Sequence, residues 1–276
     1  MIIKKLAFTL FTIFIGLHVY SQKEIYMDEN MKEIDVLTYS KKCSLQAFKC
    51  IQYDLDTLKI NKVLPKFHFG KIDPTAYTQI RKLLMRDSKK IIKPNKTLIV
   101  KFYDSILPFE KALANYNRHM RIVHDLNLDS TKSINSRHSN LTEKSYIKGR
   151  KDFIKRSKKC KKKFEKRFNS EIFYLVDESN GLANTYTNFN WIADNGFFKN
   201  NFFKIRSHYS TVFIKPDGEY FLIGTHFPDR SANKLLKTDN WSKYKKDWQK
   251  TLTTERFKGS GIFQYELYYS HKAHCF

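Results

Sequence analysis

The 276-residue sequence contains no Gly-x-Ser-x-Gly and no His-Glu-x-x-His. That excludes a nucleophile elbow and a zincin helix. Gly-x-Gly occurs once, as Gly259-Ser-Gly261, with no helix expected after it. It does not make a phosphate-cradling loop. There is no Cys-x-x-Cys, no internal repeat, and no run beyond the first twenty residues that is apolar enough to cross a bilayer. Acidic residues are scarce, 27 against 51 Lys and Arg. Nothing in the pattern predicts a bound cofactor or metal.

What is present begins at the N-terminus. Lys4 and Lys5 precede an apolar run from Leu6 to Tyr20, and Ser21 supplies a small residue ahead of Gln22. This is the layout of a secretory signal. The expectation is cleavage after residue 21 and a periplasmic or secreted chain of about 255 residues. No cysteine follows the run, so a lipoprotein anchor is not expected. Hydrophobic residues make up 41% of the chain, enough for a packed core.

The net charge of +24 draws such a chain to polyanions: an acidic polymer, an acidic protein or an anionic envelope surface. Lys outnumbers Arg 40 to 11. Readers of bases favour the bidentate guanidinium, so sequence-specific nucleic-acid binding is not predicted. The same Lys, Asn, Ile and Phe bias would also follow from an A/T-rich genome.

Four cysteines, Cys43, Cys50, Cys160 and Cys275, allow three complete pairings. Cys43 and Cys50 are close enough in sequence to close a small loop. Cys160 sits in a lysine cluster that would lower the pKa of an exposed thiol. Its helical spacing equally suits a small apolar core residue.

Residues 22–72 read as short strands or irregular structure, with apolar runs such as Ala47-Phe48-Lys49-Cys50-Ile51 and Lys66-Phe67-His68-Phe69. Asp73 and Pro74 then open a helix over 74–86, with Tyr77, Ile80, Leu83 and Leu84 on one face. Thr97–Tyr103 is a buried-type strand. Phe109–Leu126 is a helix with Leu113, Tyr116, Met120 and Val123 on one side. Asn127–Asn140 is a polar loop. Residues 143–168 return to helix, with Phe153, Cys160, Phe164 and Phe168 in a narrow apolar stripe. Glu171–Asp177 is a second apolar strand, 181–192 a weak helix, and Gly196–Phe203 irregular. Ser210–Gly224 is a hairpin turning at Pro216-Asp217-Gly218. A helix starting at Asn240 or Ser242 and a strand over Ile262–Tyr269 complete the chain. The domain reading is a signal at 1–21, an N-terminal region at 22–92, and an α/β domain at 93–276 with a basic helical insertion at 127–169.

Strands separated by helices imply parallel crossovers, and the hairpin adds antiparallel neighbours. The expected fold is α/β, a mixed central sheet flanked by helices. From residue 97 the order of elements resembles the thioredoxin-like fold. Val100-Lys-Phe-Tyr-Asp-Ser-Ile-Leu-Pro-Phe-Glu-Lys111 can be laid over the stretch that carries the redox loop in that family, with Leu107 and Glu110 where the two cysteines would stand. Ser210-Thr-Val-Phe-Ile-Lys-Pro-Asp-Gly-Glu219 matches the segment that follows the family's cis-proline, with Ser210 in its place. The resemblance covers about 150 residues and includes the 127–169 insertion. It implies a member without dithiol exchange, because both cysteines are missing.

The strongest local feature is the helix at 143–168. Thirteen Lys and Arg face three acidic residues over 141–169, a net +10. Lys155, Arg156, Lys158, Lys159, Lys161, Lys162, Lys163, Lys166 and Arg167 are the expected contacts for a polyanion. The apolar stripe is too narrow for deep membrane insertion. The exposed face carries no interleaved aromatics for base stacking. His208, Asp217 and His226, around the hairpin, form a weaker catalytic set for hydrolysis. A Cys160 thiol is the corresponding oxidoreductase candidate. Asp177-Glu178 at a strand end reads first as a cap. His271-Lys-Ala-His274-Cys275 offers three possible zinc ligands without a second knuckle. A third reading is an envelope-associated structural protein whose charge is compositional.

Overall fold

In the computed structural model, residues 23–55, 57–124, 141–177, 189–203, 209–255, 259–263 and 275–276 are described. The expected signal segment, the 127–140 loop, and most of the expected 181–192 helix and 262–269 strand lie outside them. The chain divides into two units between Pro65 and Lys66.

The first unit is a three-stranded sheet with one helix. Strand β1 (Lys23–Met27) runs parallel to β3 (Leu58–Pro65), which pairs antiparallel with β2 (Phe48–Leu55) in the order β1-β3-β2. Helix α1 (Val36–Ser44) is capped by Asp35, whose carboxylate accepts the N–H groups of Leu37 and Thr38, each at 2.9 Å. No residue of α1 is fully buried, so it lacks the apolar stripe by which sequence patterning finds helices. Cys43 of α1 is disulfide-bonded to Cys50 of β2. Leu45, Ala47, Phe48, Val63 and Leu64 are the buried apolar residues of this small core.

The second unit is a six-stranded mixed sheet with helices. Its strands are β4 (Phe67–Lys71), β5 (Thr97–Tyr103), β6 (Ser170–Val176), β7 (Trp191–Ala193), β8 (Thr211–Ile214) and β9 (Glu219–Ile223), in the order β4-β9-β8-β5-β6-β7. The β5–β6 and β6–β7 pairs are parallel, and the β5–β8, β8–β9 and β9–β4 pairs antiparallel. The helices are α2 (Pro74–Ser88), α3 (Phe109–His124), α4 (Glu143–Arg167), α5 (Asp229–Leu236) and α6 (Ser242–Thr251), with a π-helical turn at Lys199–Phe203. Among the described residues no helix is long and apolar enough to cross a membrane.

The central strands are apolar on both faces because both faces are covered. Leu98, Val100 and Phe102 of β5 join Tyr77, Ile80 and Leu84 of α2 and Phe198, Phe202 and Phe203 in one core. Residues of the opposite parity pack elsewhere. Phe213 of β8 lies 5.0 Å from the ring of Phe276, which also meets Phe164 of α4 at 4.8 Å. Phe67 of β4 packs against Phe221, Phe227 and Trp248.

Two local features follow directly from residue chemistry. Asp73 accepts the Thr75 N–H at 2.6 Å and Pro74 occupies the first turn of α2, where a missing N–H costs nothing. At the β8–β9 turn Gly218 has φ +83°, and a Cβ there would stand 2.0 Å from the Ile72 carbonyl oxygen. Only glycine satisfies both the dihedral and the space.

Several boundaries differ from the sequence expectation. The division falls at 65/66, ahead of the expected 92/93, because Phe67–Lys71 pairs with β9 and α2 packs on the same sheet. The last residues of the expected 181–192 helix are in β7. The stretch expected to be irregular at 196–203 holds a helical turn, nucleated by the Asp194 carboxylate, which accepts the N–H groups of Phe198 (2.9 Å) and Lys199 (2.7 Å). Helix α5 was not expected. The basic helix α4 packs on the unit through its own buried residues Ser157, Cys160 and Phe164.

Candidate anion-binding face

Helix α4 starts at a capping box. The Thr142 hydroxyl accepts the Ser145 N–H at 3.2 Å, and the Ser145 hydroxyl accepts the Thr142 N–H at 3.1 Å. Buried positions Ser157, Cys160 and Phe164, continued by Phe168, repeat at three and four residues and dock one edge of the helix. From Lys155 to Arg167 every exposed residue of the helix is Lys or Arg. Lys155, Arg156, Lys158, Lys159, Lys162, Lys166 and Arg167 are exposed, and none forms a salt bridge with a carboxylate among the described residues. Lys155 with Lys159, Lys158 with Lys162, and Lys162 with Lys166 are like charges four residues apart. Each such pair costs an isolated helix roughly 0.2–0.5 kcal/mol. That repulsion is the electrostatic work a bound polyanion would remove.

Two of the nine expected contacts serve the fold instead. Lys161 is half-buried and donates to the Glu165 carboxylate and to the Ile172 carbonyl, with Glu171 at 3.5 Å. Lys163 pairs with Asp229 at 2.5 Å. The Arg167 guanidinium lies 5.5 Å from the Phe168 ring centroid but stays exposed.

Beside this face is a cleft of about 600 Å³ between the C-terminal end of α2, α4 and the start of β7. Lys89, Lys90, Lys158 and Lys161 line it, with Phe173, Tyr174, Phe189 and Trp191 as its apolar wall. It exists because β7 pairs with Tyr174–Val176 and, among the described residues, no strand lies beside the start of β6 on that side. The Trp191 indole N–H is shielded from solvent and has no acceptor among the described residues. An unsatisfied buried donor costs about 1–3 kcal/mol. Glu171, near Lys90 and Lys161, has its carboxyl held above the usual range by burial and by the like charge of Glu165.

Lys101 was not singled out by the sequence reading. It is the one cation in the apolar run Thr97-Leu-Ile-Val-Lys-Phe-Tyr, which is the signal that could have found it. Its amine donates to the Cys275 carbonyl at 2.5 Å and lies 5.7 Å and 5.5 Å from the rings of Tyr174 and Phe276. Burial pulls its pKa down to about 8, helped by the positive charge of Arg156 and opposed by Asp229.

The catalytic candidates do not assemble among the described residues. Asp217 is a turn residue, accepting the Glu219 N–H at 3.0 Å and the Lys215 ammonium at 3.2 Å. His226 is half-buried beyond the other end of β9. The five residues of β9 at about 3.3 Å each put roughly 16 Å between them. His208 lies outside the described residues, as do Glu178, His271 and His274. Asp177 at the end of β6 accepts from the Lys199 ammonium. Cys160 is not a thiol: it is bonded to Cys275, so neither is available as a nucleophile or a metal ligand. Among the described residues no group of three His, Cys, Asp or Glu could hold a metal ion.

Leu107 is half-buried in the link from β5 to α3, its carbonyl accepting the Tyr146 hydroxyl, and Glu110 is exposed in the first turn of α3. Ser210 precedes β8, accepts the Phe102 N–H at 2.8 Å and donates to Ile223 at 3.1 Å. No peptide bond among the described residues is cis.

No family model, curated protein or solved structure matches the chain.

Proposed function

We propose that the chain is an exported, redox-inactive protein with a thioredoxin-like scaffold, which binds a polyanion through the exposed face of α4. The observation that carries this reading is the set of seven exposed cations in the C-terminal half of α4, Lys155, Arg156, Lys158, Lys159, Lys162, Lys166 and Arg167, with no salt bridge to a carboxylate among the described residues. A folded chain that needed these charges for stability would have paired them, as it pairs Lys161 and Lys163.

The scaffold reading draws support from one sheet that holds the parallel β5–β6 pair and the antiparallel β8–β9 hairpin, with helices in the intervening chain. Leu107 and Glu110 can exchange no disulfide, and all four cysteines are consumed in bonds elsewhere. Export draws support from the N-terminal Lys4-Lys5 and Leu6–Tyr20 pattern. Two disulfides are stable in an oxidising compartment and rare in a reducing one.

The test is the binding of fluorescently labelled long-chain polyphosphate as a function of salt. Displacing counterions at seven contacts gives a log–log slope of about −5 to −6, near 10³-fold weaker binding between 50 and 200 mM salt. Absent binding at the low-salt end, or affinity independent of salt, overturns the proposal.

A further inference from the structure

The cleft beside α4 has a chemistry of its own. We propose that it binds a small sugar carrying a phosphate or sulfate group. Its volume of about 600 Å³ falls in the range of small-molecule sites, roughly 300–1,000 Å³. Its charged lining is four lysines and one carboxylate, Asp87, which is paired with Arg86 at 2.6 Å. Lys90 and Lys161 both approach Glu171, at 3.9 Å and 3.5 Å. Lys89 and Lys158 have no carboxylate partner among the described residues, and they supply the charge for an oxyanion. Lysine donates and cannot accept, so the matching group is rich in acceptors, as phosphate and sulfate are.

The rest of the lining selects the body of the ligand. Trp191 and Phe189, with centroids 4.9 Å apart, present an aromatic wall suited to the C–H face of a sugar ring. The exposed Asn190 amide both donates and accepts, which a ring hydroxyl requires. A purely apolar acid would leave that amide unused, and an isolated inorganic ion would leave the aromatic wall unused.

This site goes beyond the polyanion face, although Lys158 borders both. Glucose 6-phosphate, glucose and inorganic phosphate are titrated separately into the full chain, by calorimetry and by tryptophan emission. Trp241 and Trp248 are buried in the core, so a ligand in the cleft reports through Trp191. The expected result is saturable binding of glucose 6-phosphate, at least about tenfold tighter than either fragment. Lys158→Glu and Lys89→Asn should each weaken it about tenfold. Asparagine tolerates the left-handed backbone of Lys89, φ 55°, so that variant keeps the turn. Trp191→Phe should abolish the emission change. Lys159→Glu and Lys166→Glu, outside the cleft, should leave sugar phosphate binding intact while weakening polyphosphate. Polyphosphate binding without any sugar phosphate binding overturns the cleft assignment alone. So does equal binding of inorganic phosphate, or unchanged affinity in Lys89→Asn.

Discussion

The Glu165 carboxylate accepts the backbone N–H of Ile172 at 2.8 Å. The Ile172 carbonyl accepts from Lys161, one helical turn before Glu165. Helix α4 thereby satisfies the stretch of β6 that β7 does not reach, and an edge open to pairing is closed by side chains. Hydrogen bonds to charged groups contribute about 1.5–3 kcal/mol when removal orphans the partner. Glu165→Ala should therefore lower stability by about 1–2 kcal/mol in urea unfolding. The loss falls at the lower end because removing Glu165 also relieves the like charge on Glu171. Glu165→Gln keeps an acceptor and should lose less. Equal stability of all three proteins would show that water replaces the carboxylate at Ile172.

Lys101 makes stability depend on alkaline pH. Its folded pKa of about 8 lies below its ordinary 10.5 because burial disfavours the ammonium. Between those values the unfolded chain binds more protons than the folded one, so stability rises with pH across the window and is lost as pH falls through 8. Tyr77 and Tyr174, raised to about 12 by burial, act in the opposite sense above pH 10. Comparison with Lys101→Met cancels their contribution. The stability of wild type minus that of Lys101→Met should rise by about 2–4 kcal/mol between pH 7 and pH 10.5. A constant difference would mean that water reaches the amine.

The two disulfides should differ in what they contribute. Cys160–Cys275 spans 115 residues and ties α4 to the last residues of the chain, whereas Cys43–Cys50 spans 7. Chain-entropy arguments assign about 5 kcal/mol to the longer loop and about 2.5 kcal/mol to the shorter. Cys160→Ser/Cys275→Ser should therefore lower the urea midpoint of the second unit far more than Cys43→Ser/Cys50→Ser lowers that of the first. The reverse order would show that residual structure in the unfolded chain already holds Cys160 near Cys275.

The parts of the fold legible in the sequence are those where local signals agree. Asp73, Pro74 and the spacing of Tyr77, Ile80 and Leu84 all specify α2. The apolar runs of β5 and β6 and the Pro216-Asp217-Gly218 turn are similarly self-consistent. The unit boundary was illegible because it depends on Phe67 pairing with Ile223, far along the chain. Strand β7, three residues long, and α5, eight, are too short for periodicity to declare. The cationic face of α4 could be counted from sequence. The withdrawal of Lys161 and Lys163 could not, because Glu171 and Asp229 come from other elements. Lys89, Lys158 and Trp191 meet only in the folded chain. Asp217 and His226 illustrate the opposite error: near in sequence, they are held apart by an extended strand.

The division of labour on α4 yields the sharpest test of the polyanion reading. Lys159 and Lys166 are exposed and make no salt bridge among the described residues, whereas Lys161 and Lys163 hold Glu165, Ile172 and Asp229. The Lys159→Glu/Lys166→Glu double variant should keep wild-type stability within about 0.5 kcal/mol, as surface changes do. It should also reduce the log–log salt slope for polyphosphate by about 1.5, roughly 0.7–0.9 per lost contact. Lys161→Gln should do the reverse, lowering stability with little change in slope, because its ammonium satisfies a strand carbonyl. Binding is measured by anisotropy and stability by urea unfolding on the same preparations. If the double variant loses no slope, the bound polymer does not run along this helix. If Lys161→Gln loses slope at unchanged stability, the polymer reaches past the outer face to the edge of β6.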